Sequence, residues 1–120
     1  MRKGWSKRQR RELRILQGVA WERQLEDALR ELHSDFETWD RREISGFELS
    51  DRVHKFHNGR SRELYNTYSG SLDHFLIELD VARGVIDEAD LSDDLLDLLK
   101  DEIAHWRERL QDEQLSQNQE

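Results

Sequence analysis

From Ser6 to Arg41 the chain has no proline and a single glycine, Gly18, and this run constrains the fold more than any other feature. A strand or a loop of that length would need turn residues, whereas an uninterrupted helix needs only their absence and a buried stripe. The stripe is present in the second half. Trp21, Leu25, Ala28, Leu29, Leu32, Phe36 and Trp39 recur at three- and four-residue steps, within about 60° of the Leu25 direction on a helical wheel. In the first half the apolar residues change face. Trp5, Leu13, Leu16 and Ala20 project roughly opposite, while Lys7, Arg10, Arg11 and Arg14 line the other side. Either the helix breaks or kinks near Gly18, or it runs straight and turns an apolar stripe away from its own core.

The whole chain of 120 residues lacks proline, and charged residues make up 38% of it against 35% hydrophobic. That composition suits helices with heavily charged faces. The expected fold is all-α, a four- to five-helix bundle with a long N-terminal helix. One helical domain is expected over residues 1–113, with 1–20 as a basic amphipathic arm and 114–120 as a frayed polar tail. Cysteine is absent, which removes disulfides and thiolate chemistry. No apolar run approaches the roughly 20 residues needed to cross a bilayer. The basic N-terminus also lacks the apolar core of a signal peptide. The cytoplasm is the expected compartment.

Ile44 to Gly70 reads as a corner. Ser45-Gly46-Phe47-Glu48 has the pattern of a capping box, with Ile44 and Leu49 as its hydrophobic staple. Leu49, Val53 and Phe56 form a short buried stripe, and Asn58-Gly59 predicts a helix stop. Phe47 is expected beneath another element. A second short helix turns Leu64, Tyr65 and Tyr68 inward and ends at Ser69-Gly70-Ser71. The run EISGFELSDRVHKFHNGRSRELYNTY, over roughly residues 43–68, resembles the signature of a small bacterial all-α family of unassigned function. The resemblance implies a helical fold and carries no activity or site residue with it.

Ser71 is expected to cap the next helix. Its core stripe reads Leu72, Phe75, Leu76, Leu79 and Ala82, with Ile77 and Val81 forming a second stripe roughly opposite. Such a helix is either sandwiched inside the domain or part of a subunit interface, and the interface is the favoured reading. After Gly84 an acidic turn, residues 87–90, leads to a last helix capped by Ser92 and stapled by Leu91 and Leu96. That helix carries Leu95, Leu99, Ile103, Trp106 and Leu110 as its core stripe.

Charge is distributed unevenly. Residues 1–14 hold seven cations against Glu12, a net of +6, which leaves −14 on residues 15–120 of a total of −8. Residues 73–113 alone hold fourteen acids against four cations, a net of −10. Cations at a helix N-terminus oppose its dipole, so the basic cluster is not explained by helix stability. It can pack on the acidic remainder of the chain, pair with a second copy, or meet an external nucleic acid, anionic lipid or acidic protein, with nucleic acid the leading external candidate. The acidic half disfavours nucleic acid and suits a basic partner; mimicry of DNA is a lesser reading of it.

Several constellations resemble catalytic or metal sites. Asp51, His54 and His57 rotate around their helix, so that Asp51 and His57 stand about 120° apart. His74 and Glu78 are four residues apart, a spacing that suits a metal as well as an ordinary surface pair. Asp51/His54 and Glu102/His105 have the carboxylate-x-x-His step of di-iron bundles, but His105 projects away from its core stripe. No nucleophile elbow, phosphate loop or dinucleotide fingerprint is present. No cofactor is implied.

The expected function is that of a non-enzymatic regulatory or adaptor protein acting through protein contacts, as a homodimer. The basic face Lys7, Arg10, Arg11 and Arg14 would bind the partner, Leu13, Leu16, Ile77 and Val81 would form the apolar interface, and Asp51 and His54 would be further contacts. A nucleic-acid-binding regulator using residues 1–14 is the alternative, and a metal-binding bundle a lesser one.

Overall fold

The structure is a computed structural model that describes residues 4–118. The chain is all-α, and no strand occurs among the described residues. Its elements are α1 (Lys7–Asp40), α2 (Gly46–Phe56), a π turn (His57–Ser61), α3 (Arg62–Tyr68), α4 (His74–Ala82), a 3-10 turn (Glu88–Asp90) and α5 (Asp93–Asn118). The packing falls into two compact units. One comprises α1 up to Ala20 with everything from Leu72 onward; the other is Trp21–Ser71.

α1 runs unbroken through Gly18, so the break considered from the wheel is not taken. A capping box starts it. The Ser6 hydroxyl accepts from the Gln9 N–H at 3.1 Å, and the Gln9 side chain accepts from the Ser6 N–H at 2.9 Å. These bonds satisfy two donors that an uncapped helix start leaves orphaned. The change of apolar face coincides with the boundary between the units. Leu13, Leu16 and Ala20 are buried in the first unit and Ala28 in the second.

In the first unit, Ile77, Val81, Ile86, Leu91, Leu95, Leu99 and Ile103 complete the core. Each fully buried aliphatic side chain contributes about 1.5–3 kcal/mol. The interface expectation is thereby overturned: Leu13, Leu16, Ile77 and Val81 are all core residues, with Ile77 at 0% and Val81 at 2% exposure. Phe75, assigned from the wheel to the core stripe of α4, is 53% exposed instead. Glu78 and Asp80 are buried, so His74 and Glu78 are not an ordinary surface pair. Asp80 is compensated by an ion pair with Arg83. The cap of α4 is Asp73 and not Ser71, its carboxylate accepting from the Phe75 N–H at 2.9 Å.

A Schellman motif closes α4. The Gly84 N–H bonds to the Val81 carbonyl and the Val85 N–H to the Asp80 carbonyl, at 3.1 and 2.9 Å, with Gly84 at φ +85°, a conformation that glycine adopts without a Cβ penalty. The acidic turn that follows is closed on itself. Asp87 accepts from the Ala89 N–H, Asp90 accepts from the Asp87 N–H, and Arg107 reaches Glu88 at 2.8 Å. Ser92 caps α5 as expected, its hydroxyl accepting from the Leu95 N–H at 3.3 Å. α5 continues to Asn118, past the position where the polar composition suggests fraying; residues 119–120 lie outside the described ones.

The second unit has a smaller core of Ala28, Leu49, Leu64 and Tyr68. Gln24 is buried with them, donating to the Tyr68 hydroxyl at 2.6 Å and accepting from Arg60 at 3.2 Å. Ser45 caps α2, its hydroxyl accepting from the Glu48 N–H at 3.1 Å. The stop expected at Asn58-Gly59 does not occur. The backbone stays right-handed helical on both sides of these residues, and the π turn absorbs them, so α2 and α3 form one continuous rod. With only this rod and half of α1, the unit cannot cover a wide apolar stripe. Leu29, Phe36 and Trp39 accordingly stay more than two-fifths exposed, and Phe47 is 92% exposed where burial is expected.

Candidate functional site

The site is built on the first two turns of α1. Its inward side is fixed by three anchors. Leu13 and Leu16 are buried. The Gln17 side chain, also buried, accepts from the Asp73 N–H at 3.2 Å. Glu12, the one acid among residues 1–14, accepts from both the backbone N–H and the hydroxyl of Ser92, at 2.7 and 2.6 Å. Those two bonds tie α1 to the N-terminus of α5, where a carboxylate also complements the helix dipole. Glu12 is thus engaged away from the neighbouring cations.

The outward side carries Lys7, Arg10, Arg11 and Arg14, all exposed, as the wheel predicts. Arg8 joins them, and the five side chains border one open concavity. Sequence reasoning counts Arg8 in the charge but leaves it off the face. It stands about 60° from Arg11 on the wheel, a gap that a long guanidinium arm spans. Arg2 and Lys3, the other two cations of the cluster, lie outside the described residues.

None of the five has a carboxylate within ion-pair distance among the described residues. Packing of the cluster on the chain's own acids is therefore not made. The C-terminal half draws on its own cations instead: Arg83 pairs with Asp80, Lys100 with Asp97 and Arg107 with Glu88. Arg109 lies 5.3 Å from the Trp106 ring centroid. The hydrogen bond and charge of Asp97 hold the Lys100 ammonium above its ordinary range. Like charges crowded at a positive dipole end repel one another, so the arrangement favours an anion brought from outside. Trp5 does not extend the face as a stacking platform; its ring packs on His74, with centroids 5.1 Å apart.

The other candidates separate in space. Asp51 is exposed and pairs with Lys55 at 2.9 Å, an exposed contact of little energetic value. His54 and His57 are exposed on the same rod, and no group of three or more His, Cys, Asp or Glu side chains among the described residues is arranged to hold a metal ion. No described helix is long and apolar enough to cross a membrane. No protein-family model, curated protein or solved structure matches the chain.

Proposed function

We propose that this chain is a non-enzymatic regulatory or adaptor protein that works through protein contacts, and that the basic face of α1 is the surface that engages an acidic partner protein. The observation that carries the reading is the set Lys7, Arg8, Arg10, Arg11 and Arg14, without an ion-pair partner among the described residues, in a chain whose net charge is −8. Charge complementarity of this kind steers association and selects partners more than it adds affinity. An acidic protein is favoured over nucleic acid for two reasons. Trp5 is already packed on His74, and the −10 carried by residues 73–113 repels a polyanion as extended as a duplex. A homodimer has lost its original support, since Leu13, Leu16, Ile77 and Val81 are core residues.

The test compares binding of the wild-type chain to an immobilised oligo-glutamate peptide and to a labelled DNA duplex at low salt. Replacing Lys7, Arg10, Arg11 and Arg14 by alanine should abolish retention on the peptide while leaving the helical spectrum unchanged. Stronger competition by the duplex than by the peptide transfers the face to nucleic acid. Retention by neither ends the reading.

A further inference from the structure

The first unit contains a second feature, independent of the basic face. Between α4 and α5, and beneath the start of α1, lies a cavity of about 400 Å³ lined by Trp5, Gln9, His74, Glu78, Leu98 and Glu102, among others. That volume is in the range of small-molecule sites. Glu78 is only 2% exposed, and its Oε1 has no hydrogen-bond partner. The Trp106 indole N–H lies near enough to favour the carboxylate but short of hydrogen-bond geometry, and it too is unpartnered. A carboxylate this deeply buried is costly to the fold unless donors or a cation gather around it, and within the protein the Trp106 N–H is one such donor.

The chemistry of the lining selects the donor. Two carboxylates, Glu78 and Glu102, exclude an anion. A bare metal ion is disfavoured, because no set of three or more ligating side chains is gathered among the described residues. An alkylammonium offers three donors and a positive charge to the carboxylates and the Gln9 side chain. Its methylenes suit Leu98 and the part of the Trp5 indole that lines the cavity beside His74. We propose that this cavity binds an aliphatic primary ammonium group, anchored by Glu78 and Glu102, with its alkyl chain against Trp5 and Leu98.

Burial, first, and then the charges of Glu102 and Asp73 hold the Glu78 carboxyl above the ordinary glutamate value of 4.5. Among the described residues, the titratable groups around it are His74 and Asp73 from the α4 side and Glu102 from α5; Gly4 and Trp5, which precede α1, and Gln9 of α1 add no titratable group to the lining. Acidification protonates Glu78, which disfavours a cationic ligand. Binding should weaken as pH falls.

Titration of the full chain with n-butylamine, followed by amide and indole chemical shifts, tests the proposal. Saturable shifts at Trp5, His74, Glu78 and Glu102 are expected, with Kd on the order of 1 mM for so small a ligand. Glu78→Gln should weaken binding at least about tenfold, the scale of one lost charge-assisted contact, and Glu102→Gln severalfold. Glu78→Gln removes a buried charge while keeping its shape, so the variant should fold. Leu98→Lys, on the exposed rim, gives a second reading by placing a tethered ammonium at the mouth in competition with the ligand. Nα-acetyl-lysinamide binding more tightly than n-butylamine identifies a lysine side chain as the source of the group, and the reverse identifies a free amine. Equal binding of n-butanol, unchanged affinity in Glu78→Gln, or no saturable shift overturns the proposal.

Discussion

The bond pair between Glu12 and Ser92 makes a measurable claim about how α1 is held. Glu12→Ala removes two charge-assisted hydrogen bonds, at 2.7 and 2.6 Å. Both are partly solvent-screened, so each is worth about 1 kcal/mol rather than the upper end for ionic bonds. Loss of the carboxylate from the start of α5 adds about 0.3–1 kcal/mol. The expected destabilisation is therefore about 2–3 kcal/mol, or a fall in Tm of roughly 8–12 °C for a chain of this size. Ser92→Ala deletes the hydroxyl that serves Glu12 and also accepts from the Leu95 N–H, and should cost about 1–2 kcal/mol as a lost cap. Because both variants delete the same hydroxyl–carboxylate bond, their effects should fall short of additivity by about 1 kcal/mol. Urea denaturation of the two single variants and the double variant, with m checked for constancy, measures this. Additivity within about 0.3 kcal/mol, or a loss below about 0.5 kcal/mol for Glu12→Ala, would refute the assignment of Glu12 as a cap of α5.

Other consequences follow from particular residues. Glu78 has a raised pKa in the folded state, so the folded chain holds its proton more tightly; its contribution to stability is fully present below the unfolded value near 4.5 and is lost as pH rises through the folded one. Glu78→Gln should flatten that decline and raise the urea midpoint at neutral pH. Arg42, at φ +62°, occupies the left-handed position of a Schellman motif in which the Glu43 N–H bonds to the Thr38 carbonyl at 3.1 Å; Arg42→Gly should stabilise by about 0.5–1 kcal/mol in thermal unfolding. At the equivalent position after α4, Gly84→Ala should destabilise by about 1 kcal/mol. Phe47→Ala should leave Tm within about 1 °C of wild type, because a side chain that exposed has little burial to lose.

The helical class, the long first helix, the capping of α2 and α5, the core stripe of α5 and the basic face at Lys7, Arg10, Arg11 and Arg14 were all legible in the residues. Each rests on short-range physics: spacing along one helix, a side chain reaching its own backbone, or charges within two turns. The failures share a cause as well. Asn58-Gly59 is a strong stop signal locally, yet the π turn carries the helix through it. On α4 the wheel finds two apolar stripes and cannot rank them; burial of Ile77 and Val81, with Phe75 left outside, is decided by what surrounds the helix.

By itself, then, the sequence determined that the chain is helical, how α2 and α5 are capped and which surface is basic, because propensity, capping and charge are properties of neighbouring residues. Only the tertiary structure decided that α1 divides its apolar faces between two compact units. It alone engaged Glu12 with a serine far along the chain, leaving the five cations without an acid in ion-pair distance among the described residues. It also buried Glu78 beside a cavity. Each of these depends on which distant groups come within a few ångströms, a distance that helical periodicity does not encode.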